Sequence, residues 1–280
     1  MPQHLARALT FLMTIVSLAA LPSAQSRRAK PPAKPAAKAA AKPAPAPAVR
    51  KEQAVPFHVG EALTYDIGWS TYLTAGSATI RVEQKKPSYS STAYYIVADG
   101  RPASLLAKLY TLYYKVDTLL DVYSLLPQRG SVYAEEGRRH RLKATLFDQT
   151  AKKARYEVQT ATVVKRDMAV PAYTQDALSA LYVLRSIPLK TGDRFNMPVC
   201  DNGSVYKVQM SVGGVETVQT GMGAIQALKV TPLVVDAKGA APGRGMAIWL
   251  SNDARRLPVR IEAQLAVGKF TLVLRQASGG

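Results

Sequence analysis

His58, His140 and Cys200 are the residues best equipped for nucleophilic, general-base or metal chemistry, since the one other histidine, His4, stands near the N-terminus and there is no second cysteine. A Ser-His-Asp or Cys-His arrangement must recruit His58 or His140, and neither sits in a nucleophile motif. A His/Cys metal site needs all three remote positions to converge with no supporting spacing. Each has a plainer reading. His140 shares a strand face with Leu142 and Leu146 and closes the end of an apolar row, His58 precedes the first clear strand, and Cys200 lies between Val199 and Asp201 as an incidental or half-buried thiol. Glu135 and Glu136 are adjacent, so on a strand they face opposite ways and cannot act on one bond. The glycines at 213–214, 221–223 and 243–245 bracket strands and open no helix, so they read as turns and not as a phosphate cradle. This residue set points away from catalysis, with no catalytic residue, cofactor or metal expected, and towards binding.

Two side-chain sets are candidates for binding. In GRRHRLKATLFDQTAKKARYE, a hairpin near Asp148 to Lys153 puts Arg139, Arg141 and Lys143 on the solvent face of one strand, with Arg155 on its partner. That row suits an anionic headgroup or glycan; it equally suits protection of a sheet edge from aggregation. Arg255 and Arg256, in a turn between two strands, extend the anionic-partner set. The aromatics Trp69, Tyr113, Tyr114, Tyr206 and Trp249 can line a cavity for a lipid or other apolar ligand, or can pack an ordinary core.

The elements that must hold these side chains are strands. Ala78, Ile80 and Val82 alternate with Thr79, Arg81 and Glu83, and Tyr206, Val208, Met210 and Val212 alternate with Lys207, Gln209 and Ser211. One wet and one buried face is a pattern antiparallel sheets permit. Turn residues at short spacing predict hairpins at Gly213-Gly214, Gly221-Met222-Gly223, Ser251-Asn252-Asp253 and Val267-Gly268-Lys269, and eleven to thirteen strands in all. Two segments read as helices, Pro102 to Tyr110 and Thr174 to Ile187, the second capped by Thr174 and ended by Pro188. The expected fold is mainly β: a strongly curved antiparallel sheet or open β-barrel-like single domain over 55–278, with one or two short helices. Its size is enough to fold without a disulfide.

Charge divides the chain upstream of that domain. The sequence carries +18, from 37 Lys and Arg against 19 Asp and Glu, and its first acidic residue is Glu52. Residues 1–26 open with His4 and Arg7, continue with the apolar run Ala8 to Leu21 and end in Pro22 and small residues, the order of a cleavable secretory signal. The run falls short of the roughly 20 residues that span a bilayer, although an uncleaved anchor is the alternative. No cysteine lies near the junction, so lipoprotein anchoring is not expected and the periplasm is the expected compartment. Residues 27–54 form a Lys/Ala/Pro-rich linker that cannot bury a core. The stretch 27–51 holds eight of the basic residues and Arg7 another, leaving 28 against 19 acids from residue 52 onward, a net of +9. As an extended tether, 27–51 would be attracted to an anionic membrane surface or an envelope glycan or lipid; a solvated spacer is the plainer alternative. An exported chain does not meet chromosomal DNA or ribosomal RNA, so nucleic acid is not expected as a partner.

Five segments then carry a resemblance: FHVGEALTYDIGW (57–69), AGSATIRV (75–82), TQDALSALYVLRSIPLKTGD (174–193), VETVQTGMGAIQALKV (215–230) and IWLSNDARRLPVRI (248–261). Together they resemble the bacterial exported domain-of-unknown-function family 3108. The most specific elements are Gly-Glu-x-Leu-x-Tyr, Asp-Ala-Leu-Ser-x-x-Tyr-x-x-Arg and Trp-Leu-Ser-x-Asp-x-x-Arg-x-Pro-Val. The resemblance implies an envelope protein, mostly β, and brings no catalytic residues with it. The expected function is a non-enzymatic periplasmic or envelope protein binding an apolar or anionic component. A protein-interaction scaffold is the second reading, and an envelope hydrolase a distant third.

Overall fold

The computed structural model describes residues 50–70, 73–109, 111–160, 162–235, 244–265 and 268–279. The expected signal at 1–26 and nearly all of the basic stretch lie outside them. Period-two alternation builds fourteen strands: β1 (Ala62–Trp69), β2 (Leu73–Ser88), β3 (Ser91–Pro102), β4 (Leu112–Asp121), β5 (Pro127–Glu136), β6 (Arg139–Asp148), β7 (Lys153–Gln159), β8 (Val163–Ala169), β9 (Arg194–Asp201), β10 (Ser204–Thr220), β11 (Gly223–Val235), β12 (Arg244–Ser251), β13 (Pro258–Leu265) and β14 (Gly268–Ser278). They form one antiparallel sheet in the order β8 to β1, then β14 down to β9. Every neighbour but one is a sequence neighbour. The exception, β1 against β14, joins two meanders through the two ends of the folded region.

The strand count exceeds the expected eleven to thirteen, and one predicted turn is absent. Gly213-Gly214 does not reverse the chain: β10 runs through it as a 17-residue strand, and the register against β11 slips between Val212 and Val215. Two glycines in a strand relieve crowding at a bulge as readily as they make a turn. The predicted turn at Gly221 to Gly223 is present, with Thr220 opposite Gly223.

Two helices interrupt the sheet, α1 (Ser104–Leu109) and α2 (Ala177–Ser186). Asp176, and not Thr174, caps α2. Its carboxylate accepts from the amides of Leu178 and Ser179 at 2.9 and 2.8 Å, while Ser179 Oγ accepts from the Asp176 amide at 2.9 Å. This reciprocal capping box satisfies donors that a buried helix end would otherwise leave orphaned. Thr174 instead donates to the Pro171 carbonyl at 2.7 Å.

The sheet curls around α2, which serves two cores. Leu178 and Tyr182 pack with Phe57, Leu63, Tyr65 and Leu274, while Ala180 and Leu184 pack with Met197, Val208, Val230 and Leu250. Burial of each large side chain contributes about 1.5–3 kcal/mol. The barrel is not closed, because β8 and β9 do not pair. Gln175 makes a parallel bridge to Val199, its amide donating to the Pro198 carbonyl at 2.9 Å and its carbonyl accepting from Cys200 at 2.8 Å. That bridge occupies the C-terminal part of the β9 edge, and β8 has no such bridge among the described residues.

Candidate functional site

The open seam gathers several strongly perturbed titratable groups. Arg141, Lys143 and Thr145 alternate onto one face of β6, and Thr145 stands opposite Tyr156 of β7. Against that face sits the Asn202-Gly203 turn between β9 and β10. Lys143 Nζ donates to Asn202 Oδ1 at 2.6 Å, and Asn202 Nδ2 donates to Asp201 Oδ2 at 2.8 Å. Gly203 has φ +72°, and a Cβ there would lie 2.7 Å from the Tyr156 ring, so both backbone and packing require glycine. Asp176 reaches the same pocket and accepts from Thr118 Oγ1 at 2.6 Å.

Burial sets the charge states here. It pushes the Asp201 carboxyl up to about 7, against the pull of the Lys143 ammonium. Burial lowers the Lys143 amine and raises Asp176, the latter in spite of its three donors. The Tyr156 hydroxyl and the Cys200 thiol are both pushed up to about 12 by burial. Clustered perturbed groups are a hallmark of functional sites. The enclosed volume, however, is about 30 Å³, which holds roughly one water and no substrate. A thiol held neutral against Met168 Sδ at 3.6 Å is also a poor nucleophile.

The three motifs singled out in the sequence meet in a second buried cluster. Arg185 of α2 donates from Nη1 and Nη2 to the two carboxylate oxygens of Glu61 at 2.7 and 2.8 Å. Its Nε and Nη2 also donate to the carbonyls of Arg256 and Arg255, each at 3.2 Å. Tyr65 Oη donates to the Pro258 carbonyl at 2.9 Å, and Asp253 Oδ1 accepts from the amides of Arg255 and Arg256 at 3.0 and 3.1 Å. These contacts pin the helix to the first strand and to the β12–β13 turn.

The predicted binding sets disperse. Tyr114 is buried with its hydroxyl on Glu136, while Tyr113 faces the opposite side, beside Tyr133 at 6.2 Å between ring centroids. Trp69 stacks on Phe270 at 6.0 Å, and Tyr206 belongs to the other core. Trp249 is held by Glu216 at 2.8 Å, with the Lys229 and Arg260 cations over its ring. These five aromatics therefore pack cores and outer faces and line no common cavity among the described residues.

The basic row is corrected in two ways. Arg141 and Lys143 lie on the concave face, engaged by Glu136 and Asn202, because the curl of the sheet turns that face inward. Arg155 stands opposite Leu146 and so points to the other face, where it pairs with Asp167 at 2.7 Å. Arg139 is exposed, and Arg255 and Arg256 are half-buried, with their backbones in the Arg185 network. His58 is exposed, and His140 meets Tyr133 Oη at 3.0 Å on the outer face. Asp201, Asp176 and Glu61 are the site residues that sequence reasoning missed. The Asp-Asn-Gly hairpin signal at 201–203 was the available clue to the first.

The fold and seam define a β-barrel-like class in which an open antiparallel sheet is plugged by one helix. The chain belongs to the family of proteins of unknown function DUF3108, whose profile matches residues 64–275. Among solved structures, it resembles the beta-barrel-like protein of domain-of-unknown-function family DUF1849 from Brucella abortus. That match has a TM-score of 0.50 at 13% identity and covers 79% of this chain and 97% of that one. Weaker matches are a Bacteroides fragilis protein described as exported with a YmcC-like fold, and a Parabacteroides distasonis protein described as a lipoprotein. The first has a TM-score of 0.32 at 14% identity, covering 82% and 100% of the two chains. The second has a TM-score of 0.31 at 10% identity, covering 81% and 100%. No curated protein matched the sequence.

Proposed function

We propose that this is an exported, non-enzymatic cell-envelope protein whose folded domain is a protein-interaction scaffold. Export is supported by the order of charge, apolar run and small residues at 1–26, which also favours a cleaved, periplasmic product without a lipid anchor. The observation that carries the scaffold reading is the filled interior. Side chains of α2 pack into both cores, and the seam hollow is about 30 Å³, while the hollows of several hundred Å³ beside β7–β8 and at Arg101 to Tyr113 are open grooves and not the deep pocket of a ligand carrier. The sheet edge is the favoured docking surface, since the Arg255-Arg256 turn is occupied with holding Arg185.

Site-specific photocrosslinking of the full chain in intact cells tests this reading, with lipid extraction of the purified protein in parallel. A stoichiometric protein adduct without a co-purified lipid is the expected result. A bound lipid and no adduct would return the function to ligand carriage. The basic stretch 27–51 adds a salt-sensitive attraction to anionic membrane, at most about 1 kcal/mol per cation. Full vesicle binding after its deletion would remove that part of the proposal.

A further inference from the structure

We infer that β8 is a docking edge for an extended acidic segment of a partner protein, which adds to the sheet as its next strand; this rests on the scaffold reading and specifies its surface. The two ends of the sheet are unlike. β9 is bridged by Gln175 over Pro198 to Cys200, whereas β8 has a hydrogen-bonded neighbour on one side only among the described residues. The Asn202-Gly203 turn abuts β6 and β7, and Met168 of β8 meets Cys200 of β9 at 3.6 Å between sulfurs, so the seam reaches the C-terminal part of β8 and leaves Val163 to Arg166 as its free stretch. Its residues are exposed except Met168, and Val163 and Val164 keep 56% and 58% of their surface. About half of the backbone N–H and C=O groups of an edge strand point away from its neighbour and are free to pair. The strand has no proline and pairs with β7 without a register break over seven residues, so nothing in its backbone blocks an incoming chain.

Charge selects the occupant. Lys152, Lys153, Arg155, Lys165 and Arg166 stand on this margin against Asp148, Glu157 and Asp167. All three acids are already engaged, Asp167 by Arg155 at 2.7 Å, Glu157 by Lys165 at 3.2 Å and Asp148 by the Ala151 amide at 2.8 Å. Arg166 has no carboxylate at ion-pair distance among the described residues, and it shares its strand face with Val164 and Met168. The excess of cations repels a second copy of the same strand and attracts an acidic one. A groove of about 610 Å³ beside the strand offers apolar seats for alternate side chains at Leu146, Phe147 and Met168, with Lys153 balanced by Asp148 and Arg155 by Asp167 along its wall. Main-chain pairing for affinity with pockets for specificity is the usual logic of strand addition.

The test uses the full chain and two capped octapeptides, one alternating glutamate with valine and one alternating lysine with valine, followed by hydrogen exchange at residue resolution. The expected result is slowed exchange confined to β8 with the glutamate peptide and none with the lysine peptide. Lys165→Glu/Arg166→Glu should weaken glutamate-peptide binding by at least about tenfold, and Lys165→Gln/Arg166→Gln should weaken it less. Both pairs of substitutions fall on exposed side chains, and retained circular dichroism verifies the fold. Equal binding of the two peptides, protection elsewhere on the sheet, or no protection at the limit of peptide solubility would overturn the inference. A crosslinked protein adduct in cells at another surface, with β8 silent, would leave the scaffold reading standing and this one refuted.

Discussion

Arg185 and Glu61 are 124 residues apart in sequence and meet as a doubly hydrogen-bonded ion pair with 0% and 1% of their side-chain surfaces exposed. Two charges withdrawn from water this completely are stable only while each satisfies the other and the remaining guanidinium protons find acceptors. The carbonyls of Arg255 and Arg256 are those acceptors. The pair therefore fixes where α2 sits relative to β1 and the β12–β13 turn.

Removal of one partner should be far more damaging than removal of both. Glu61→Leu or Arg185→Met is expected to destabilise the domain by about 3–5 kcal/mol in urea denaturation, because each leaves a buried charge unanswered. Combining Glu61→Leu with Arg185→Met should cost clearly less than the sum of the single changes. Strict additivity in that double-mutant cycle would show that the two do not act as a pair.

At the helix start, Asp176→Ala is expected to cost about 1–2 kcal/mol by orphaning the Leu178 and Ser179 amides. Asp176→Asn keeps an acceptor oxygen at the cap and should recover most of that loss. Thermal melting of the two variants measures the difference. Equal melting temperatures would argue that the carboxylate charge matters more than the cap.

Asp201 makes stability depend on pH with a defined sign. Its folded pKa, raised from 3.8 to about 7, means that the folded state holds the proton more tightly than the unfolded chain. Stability from this group is complete below pH 4, falls as pH rises towards 7 and is flat beyond, by an amount of the order of 4 kcal/mol. Lys143, its amine lowered by burial, works the other way at alkaline pH, where stability recovers as the ammonium is lost. Urea midpoints from pH 4 to 8 should decline in the native protein and lose most of that slope in Asp201→Asn. A slope unchanged by the substitution would place its origin elsewhere.

Cys200, buried and pushed up to about 12, should resist thiol reagents in the folded protein and react fully once unfolded. Labelling with a disulfide-exchange reagent at pH 8, with and without urea, decides this. Rapid labelling of the native protein would mean that the seam opens readily.

The outline of the fold was legible because it rests on local signals. Alternation at Ala78 to Glu83 and Tyr206 to Val212 states which side chains share a face, and the Thr174 to Ile187 stripe states a helix. Register and curl were not legible. The face of Arg155 depends on its pairing with Leu146, and the inward turn of Lys143 depends on the whole sheet wrapping around α2. Gly213-Gly214 was ambiguous for a similar reason, since only the neighbouring strand decides between a bulge and a reversal. The Glu61–Arg185 pair joins the Gly-Glu-x-Leu-x-Tyr and Asp-Ala-Leu-Ser-x-x-Tyr-x-x-Arg motifs. Nothing in either motif names the other as its partner.

The position of β14 makes the two meanders interdependent. Residues 268–278 lie in the middle of the sheet, hydrogen-bonded to β1 on one side and β13 on the other. A frameshift or protease nick near residue 267 would not trim an edge; it would cut one continuous sheet into two ladders, each with a newly bared margin. By the same geometry the first and last strands lie side by side, with Ala62 opposite Ser278, while the chain before β1 continues to Gln53, whose amide donates to the Val122 carbonyl at 2.9 Å. A circular permutant that keeps residues 50–61, joins residue 279 to residue 50 through a linker long enough to span from β14 to Val122, and opens at an exposed hairpin such as Thr220 to Gly223 should keep the whole pairing order intact.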